Sequence, residues 1–132
     1  VAELAIKMGL ACHSEISRYQ IFDRKNYFYP DLPKGYQLTQ DHTPICKGGF
    51  ISITTKSGER KIPLNRIHIE EDAGKSIHLE GETETRIDFN RAGVPLIEIV
   101  TEPALRSSEE AYALMTEIRK LVRYLEICDG NM

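Results

Sequence analysis

The sequence lacks several features that would assign it to a common functional class. No apolar run approaches the length needed to cross a bilayer and no signal peptide is visible, so we expect no association with membranes. No phosphate-binding glycine loop, dinucleotide fingerprint or nucleophile elbow is present. The three cysteines, Cys12, Cys46 and Cys128, are far apart and lack zinc-finger spacing. This use of cysteine favours free thiols in the reducing cytoplasm.

The sequence also lacks an excess of basic charge. Its 17 lysines and arginines face 20 aspartates and glutamates, giving a net charge of −3. This balance argues against a module that binds nucleic acid by general phosphate attraction, although a local basic patch stays possible. With 132 residues and 41% hydrophobic content, the chain fits one globular domain or a part of one. Its first residues have a helical pattern and its end is abrupt, so we expect a fragment truncated at both ends.

The most informative segment is the acidic stretch at residues 66–75. Read as a strand, it places Glu71 on the same face as Ile67 and Ile69, while the other face carries Arg66, His68, Glu70 and Asp72. A carboxylate on a core-facing side requires a metal, a cation or hydrogen-bond donors. Together with Lys75, these acids suit a magnesium–nucleotide site. The alternative is a solvated, charged strand end.

A second acid interrupts an apolar strand predicted at residues 94–100. The nearly continuous apolar run favours burial on both faces, and Glu98 then needs a partner. Two such acids on neighbouring strands favour a shared cation. The alternative is that Glu98 pairs with Arg91 or accepts backbone hydrogen bonds as a structural polar group. His68 shares a face with Glu70, but for this residue a structural role is favoured.

The remaining pattern predicts a mixed fold. A helix is expected over residues 1–10, closed by Gly9, and a hairpin over residues 50–64, with Pro63 at an edge or strand end. A second helix begins after a capping box formed by Ser107 and Glu110. Its apolar stripe includes Ala111, Leu114, Met115, Ile118, Leu121, Val122 and Leu125, with Met115 as core filler.

A loop rich in aromatic and basic residues follows a strand predicted at residues 25–29. Its tyrosines stand beside Arg24, Lys25 and Lys34, a mixture that suits stacking on bases and contacts to phosphate or carboxylate groups. The alternative is that the tyrosines pack against the domain.

Three segments carry a family resemblance: residues 27–37, 67–75 and 88–100. In sequence and order they resemble the B-subunit family of the bacterial aspartyl/glutamyl-tRNA amidotransferases. The flanking residues 106–111 and 129–132 fit as well, so the resemblance covers essentially the whole chain.

The resemblance implies a fold and an activity. The fold would be α+β, a mainly antiparallel sheet with flanking helices in a glutamine synthetase-like cradle, of which residues 1–132 would be a part. The enzyme would use ATP and Mg²⁺ to phosphorylate the side-chain carboxylate of Glu-tRNA(Gln) or Asp-tRNA(Asn). Ammonia from the glutaminase A subunit would then give the amide. A small C subunit would complete a cytoplasmic heterotrimer.

Given this implied chemistry, we assign candidate site residues. Glu70, Glu71 and Glu98 would bind Mg²⁺; Lys75, Asn90 and Arg91 would stabilise phosphate; and Lys25, Tyr29, Lys34 and Gln37 would face the tRNA end or the ammonia exit. Other metal-site residues of the family would lie outside this chain, so we expect the isolated chain to have little or no activity. Two other functions stay open. One is a non-catalytic module that docks the A subunit or the tRNA acceptor end, and the other is a ligase for free amino acids.

Overall fold

The computed structural model describes residues 1–81 and 83–131. Its elements are, in order, α1 (Ala2–Ala11), β1 (Glu15–Ile16), β2 (Asp23–Asn26), β3 (Tyr36–Thr39), β4 (Cys46–Lys47), β5 (Phe50–Thr55), β6 (Gly58–Glu71), β7 (Lys75–His78), β8 (Thr85–Asp88), β9 (Pro95–Thr101) and α2 (Ser108–Tyr124). The predicted α+β class, with an antiparallel sheet and flanking helices, is confirmed.

The long strand β6 organises the main five-stranded sheet. The chain from Cys46 to Thr55 follows one edge of β6 as β4 and then β5, and β9 pairs along the other edge. β1 extends the sheet beyond β4, and every pairing is antiparallel. Two separate hairpins, β2–β3 and β7–β8, complete the strands. Thus β6 is the element against which most of the chain is positioned.

The core lies on one face of this sheet. Ile67 and Ile69 of β6 are buried there, as the predicted alternation requires, with the apolar side chains of β5 and of both helices. Ala5 and Met8 of α1 and Leu114 of α2 are the buried helix residues of this core. His68 and Glu70 point to the opposite face, and they are also buried. The β2–β3 hairpin, whose Thr39 contacts Glu70, covers this second face.

Helix α1 matches its prediction except at its end. The helix continues past Gly9 to Ala11, with Cys12 as the C-cap, so the prediction that Gly9 closes it is wrong. A Cβ atom at Gly9 would lie 2.4 Å from Cys46 Sγ and 2.9 Å from Ile16 Cδ1. The glycine is therefore needed because the helix approaches the sheet closely, not because the backbone turns.

Helix α2 also matches its prediction, with one exception. Ser107 is the N-cap, and its side-chain oxygen accepts a hydrogen bond from the Glu110 backbone N–H at 3.2 Å. The prediction of Met115 as core filler is wrong, since this side chain is 64% exposed. Leu114, one position earlier, occupies the face that packs towards β5, and Met115 is rotated away from it.

Two strand predictions need correction. β6 does not end at Pro63, whose carbonyl accepts a hydrogen bond from Glu102 N–H at 2.9 Å. Because β9 ends at Thr101, the missing N–H of Pro63 costs no ladder bond there. β9 was predicted to be buried on both faces, but its apolar residues are half-buried and Glu98 is exposed. Among the described strands, β9 pairs with β6 alone, so its other edge is uncovered.

The cysteines are free thiols, as predicted. Cys12 and Cys46 are buried and Cys128 is exposed. Burial raises the pKa of both the Cys12 and Cys46 thiols to about 11, which keeps them protonated and unreactive. Within the described residues, neither helix combines the length and apolarity that a membrane span requires.

Candidate metal centre

A cavity of about 470 Å³ opens on the covered face of β6, beneath the β2–β3 hairpin. Two neighbouring strands contribute four ionisable side chains to it: Arg66, His68 and Glu70 from β6 and Glu98 from β9. Basic side chains of the same cavity are Arg24 and Lys25 of the hairpin. The cavity therefore places a cationic wall beside a cluster of acids.

The sheet register brings the three residues of this cluster together. His68 and Glu98 are directly opposite in the β6–β9 pairing, and Glu70 lies two residues further along the same face of β6. One ligand atom from each residue can be chosen so that all three lie within 4.8 Å of one another. Thr39 Oγ1 donates a hydrogen bond to Glu70 Oε2 at 3.2 Å.

Burial controls the protonation of this cluster. Burial, followed by the hydrogen bond and negative charge of Glu98, raises the pKa of Glu70 to about 7. Glu70 therefore keeps its proton to a higher pH than an exposed glutamate does, because a second negative charge beside Glu98 is disfavoured. Burial also lowers the pKa of His68, although the charge of Glu98 opposes the shift, so the imidazole is neutral at neutral pH.

The hydrogen bonds of His68 assign its tautomer. Arg66 Nε donates to His68 Nδ1 at 3.3 Å, so the ring hydrogen of the neutral imidazole belongs on Nε2. That nitrogen lies 3.5 Å from Glu70 Oε2 and 4.0 Å from Glu98 Oε2. In this arrangement His68 faces the two carboxyl groups as a hydrogen-bond donor.

The donor set fits a hard divalent cation. Carboxylate oxygens are the ligands that Mg²⁺ and Mn²⁺ prefer, and a cation would replace the proton that the raised pKa leaves on Glu70. Glu70 and Glu98 could hold such an ion directly. His68 could join them through Nε2 only if its ring hydrogen moved to Nδ1 and the hydrogen bond from Arg66 were lost.

Glu71, the third predicted Mg²⁺ ligand, is engaged elsewhere. Its carboxylate forms an ion pair with Lys34 and accepts a hydrogen bond from Leu38 N–H at 2.8 Å. Burial opposes ionisation, but the hydrogen bonds from Lys34 and Leu38 outweigh it and hold the pKa of Glu71 below its usual range. Gln37 Nε2 donates to the Glu71 backbone carbonyl at 2.7 Å. The structure thus brings Lys34, Gln37 and Glu71 together, apart from the cluster around Glu70.

Two of the three predicted phosphate-stabilising residues lie at a second cavity. Lys75 and Arg91 line a space of about 260 Å³ together with Asp72 and Asp88. Arg91 forms an ion pair with Asp72 at 2.9 Å, and not with Glu98. Asn90 is exposed in the turn after β8, where its backbone N–H donates to Asp88 Oδ1 at 2.9 Å. The roles assigned to these residues stay predictions.

The other predicted substrate-side residues belong to the β2–β3 hairpin region. Lys25 lines the 470 Å³ cavity, with its Nζ 5.8 Å from the centre of the Tyr27 ring. Tyr29 is 65% exposed in the loop between the two strands, and its ring centre lies 6.2 Å from that of Tyr27. Arg24 and Lys34 both contact the Tyr36 ring, at 4.6 and 4.8 Å.

Three residues of the centre did not emerge from the sequence as site residues. His68 was interpreted as structural, although its place on the same strand face as Glu70 was a usable signal. Thr39 and Gln40 come from a distant segment, and they reach β6 only because residues 36–40 lie beside its end. No pattern within residues 36–40 could have indicated that contact.

Without a metal, the chain is expected to become less stable as pH rises from about 4.5 to about 7. The pKa of Glu70 increases on folding from its usual 4.5 to about 7, so in this range the folded chain retains a proton that the unfolded chain has lost. The loss should be on the order of 1–3 kcal/mol. Urea unfolding at several pH values would measure it, with Glu70→Gln as the control. An unchanged pH dependence in that variant would contradict the assignment.

The sequence of this chain is similar to those of known proteins over its whole length. The family described as GatB/GatE catalytic domain matches residues 1–132. The aspartyl/glutamyl-tRNA(Asn/Gln) amidotransferase B subunit 2 of Clostridium acetobutylicum is 55% identical over 132 residues, covering 100% of this chain and 28% of that protein. The B subunit of Pelodictyon phaeoclathratiforme is 58% identical with the same coverage. The B subunit of Alkalilimnicola ehrlichii is 57% identical over 130 residues, covering 98% of this chain and 27% of that protein.

The chain therefore spans less than a third of the length of these curated relatives. The match over the full chain confirms the resemblance seen in residues 27–37, 67–75 and 88–100. The chain belongs to the GatB/GatE catalytic domain family.

Proposed function

We propose that this chain forms part of the catalytic cradle of a cytoplasmic, tRNA-dependent amidotransferase, within its B subunit, and helps to bind the divalent cation of that enzyme. The observation that carries the proposal is the cluster of His68, Glu70 and Glu98 in a cavity that also contains basic side chains. The names of the relatives, amidotransferases for aspartyl- and glutamyl-tRNA, support the reaction class.

The reaction explains why such a cluster is useful. Ammonia cannot displace an oxygen from a carboxylate, so the γ-phosphoryl group of ATP is first transferred to a side-chain oxygen of the tRNA-bound glutamate or aspartate, releasing ADP. Ammonia then adds to the carbonyl carbon, the bond to the phosphorylated oxygen breaks, and phosphate leaves the amide product. Mg²⁺ bound in the cluster would neutralise negative charge during phosphoryl transfer.

The residues of the chain have distinct tasks in this proposal. Glu70 and Glu98 hold the cation, while neutral His68 faces their oxygens. Lys25 and Arg24 lie in the same cavity, where they can contact phosphate oxygens. Lys75, Asn90 and Arg91 are proposed to bind phosphate at the second cavity, which Lys75 and Arg91 line.

The loop that connects β2 to β3 is proposed to face the substrate. Tyr29, with its exposed ring, offers a stacking surface for the end of the charged tRNA. The Lys34–Glu71 pair and the adjacent Gln37 border this region and would lie towards the ammonia exit. The proposed partners are the glutaminase A subunit and a small C subunit.

The proposal is tested by placing this sequence in a complete enzyme. The matching segment of the C. acetobutylicum B subunit would be replaced by residues 1–132, and the chimera assembled with its partner subunits. We expect ATP-dependent amide formation on mischarged tRNA, lost in Glu98→Gln while tRNA binding is retained. Undiminished turnover in Glu98→Gln would refute the proposed role of the cluster.

A second function, a docking module without catalytic residues, is favoured by one observation. Phe28 is 88% exposed beside Tyr29, and basic residues of the hairpin lie nearby. In the same chimera, Phe28→Ala combined with Lys25→Ala tests this function. If these changes abolish binding of tRNA or of the A subunit while carboxylate variants leave amide formation intact, the docking function is correct.

A further inference from the structure

Gln40 is a fully buried polar residue next to the acid cluster, and its side chain makes three hydrogen bonds. We propose that Gln40 is a positioning residue, which fixes the β6 backbone at Ile69 and thereby sets the separation and orientation of His68 and Glu70. The inference rests on the proposed function only in taking these residues as part of a metal centre. Gln40 itself binds no ion in this proposal.

The hydrogen bonds of Gln40 replace a missing strand partner. β4 pairs with β6 at Arg66 and Ile67, and the same register continued would place Pro44 opposite Ile69. The described chain has no ladder pair at that point, and Gln40 Oε1 instead accepts from Ile69 N–H at 3.0 Å and from Ile45 N–H at 3.2 Å. A side-chain oxygen therefore satisfies two buried donors where β6 leaves β4.

The position of Ile69 makes this contact important for the cluster. Ile69 lies between His68 and Glu70, and in an antiparallel strand its N–H points to the edge opposite that used by its two neighbours. β9 fixes one edge through the His68–Glu98 register, and Gln40 fixes the other. Thr39, adjacent to Gln40, holds the Glu70 carboxyl group directly. Two consecutive residues therefore hold this part of β6: Gln40 binds its backbone at Ile69, and Thr39 binds the Glu70 side chain.

The orientation of the Gln40 amide is set by a third bond. Its Nε2 donates to Gln20 Oε1 at 2.8 Å, which leaves Oε1 facing the two backbone donors. Gln20 is exposed, so water can replace it as an acceptor. Gln20→Ala is therefore a matched control, since it removes one partner of Gln40 without removing the bond to Ile69.

The test compares Gln40→Leu with Gln20→Ala in the 132-residue chain. Binding of Mn²⁺ would be followed by electron paramagnetic resonance, and exchange of the Ile69 amide hydrogen by NMR. We expect Gln40→Leu to weaken Mn²⁺ binding by about 10–100-fold, as for residues that support metal ligands, and to speed exchange at Ile69. Gln20→Ala should stay within about twofold of the unmodified chain, because water replaces the lost acceptor. Gln40→Asn, whose shorter side chain withdraws the oxygen, should be intermediate and serves if Gln40→Leu does not fold.

A metal-free measurement separates this inference from the proposed function. The NMR shifts of the His68 ring nitrogens and the Glu70 carboxyl carbon should change in Gln40→Leu or Gln40→Asn and not in Gln20→Ala. Failure of the chimeric B subunit to bind Mn²⁺ would count against the proposed function, while these shifts would still decide the role of Gln40. The inference would be overturned if folded Gln40 variants kept the Mn²⁺ affinity and the His68 and Glu70 shifts of the unmodified chain. It would also be overturned if Gln20→Ala changed them as much as the Gln40 variants do.

Discussion

Replacing Glu98 by glutamine is expected to remove detectable Mn²⁺ binding by this chain. Glu98 lies opposite His68 and contributes one of the two carboxyl groups of the cluster. Removing a direct ligand should weaken binding by more than the roughly 10–100-fold that loss of a supporting residue costs. The amide is nearly isosteric with the carboxyl group and the position is exposed, so the fold should be retained. Titration by electron paramagnetic resonance, with a thermal melt beside it, would measure both effects.

The matched control for Glu98→Gln is Glu71→Gln. Glu71 is adjacent to Glu70 in the sequence, yet its carboxylate is engaged by Lys34 and Leu38 on another side of the strand. If the cluster of His68, Glu70 and Glu98 is the metal centre, Glu71→Gln should retain Mn²⁺ affinity within a few-fold. Loss of affinity in Glu71→Gln with retention in Glu98→Gln would reject that centre and favour the ligand set containing Glu71.

The comparison of these two acids shows how far sequence can predict the site. That Glu71 needs a partner could be predicted from its position among isoleucines. In the structure Lys34 pairs with its carboxylate and Leu38 donates a backbone hydrogen bond to it. Which partner would meet it could not be predicted, because Lys34 lies more than thirty positions away and reaches it through the hairpin. The pairing of Glu70 with Glu98 depended likewise on the register between β6 and β9, which local alternation does not fix.

Fold prediction succeeded where local pattern decides the structure. The stripe and N-cap of α2 and the turn that joins β5 to β6 were recognised because each depends on residues a few positions apart. The prediction failed for β9, whose apolar composition is typical of a central strand although the described chain pairs it on one edge alone. Gly9 was assigned to a helix end because sequence cannot show that Cys46 lies against it.

Replacing Ile67 by alanine should cause the largest loss of stability among the changes considered. Ile67 has no exposed surface and lies in β6, where it contributes to the core shared by both helices. Truncating a buried isoleucine to alanine leaves a cavity and typically lowers the free energy of unfolding by about 2–5 kcal/mol. Ile67→Val should lower it by only about 0.5–1.5 kcal/mol. Urea unfolding monitored by circular dichroism would provide both values. Ile21→Ala, at a residue that is 59% exposed, should change stability by no more than about 0.5 kcal/mol.

The same variant also tests whether the two faces of β6 have separate tasks. Ile67 points to the core, whereas His68 and Glu70 point into the cavity, so the folded fraction of Ile67→Ala should bind Mn²⁺ with nearly unchanged affinity. The strand backbone at the cavity is held from both edges, by β9 and by Gln40, and neither contact involves the Ile67 side chain. If affinity fell in parallel with stability, packing of the core would itself determine the geometry of the metal centre. The β9 and Gln40 contacts would then be insufficient to hold the cluster.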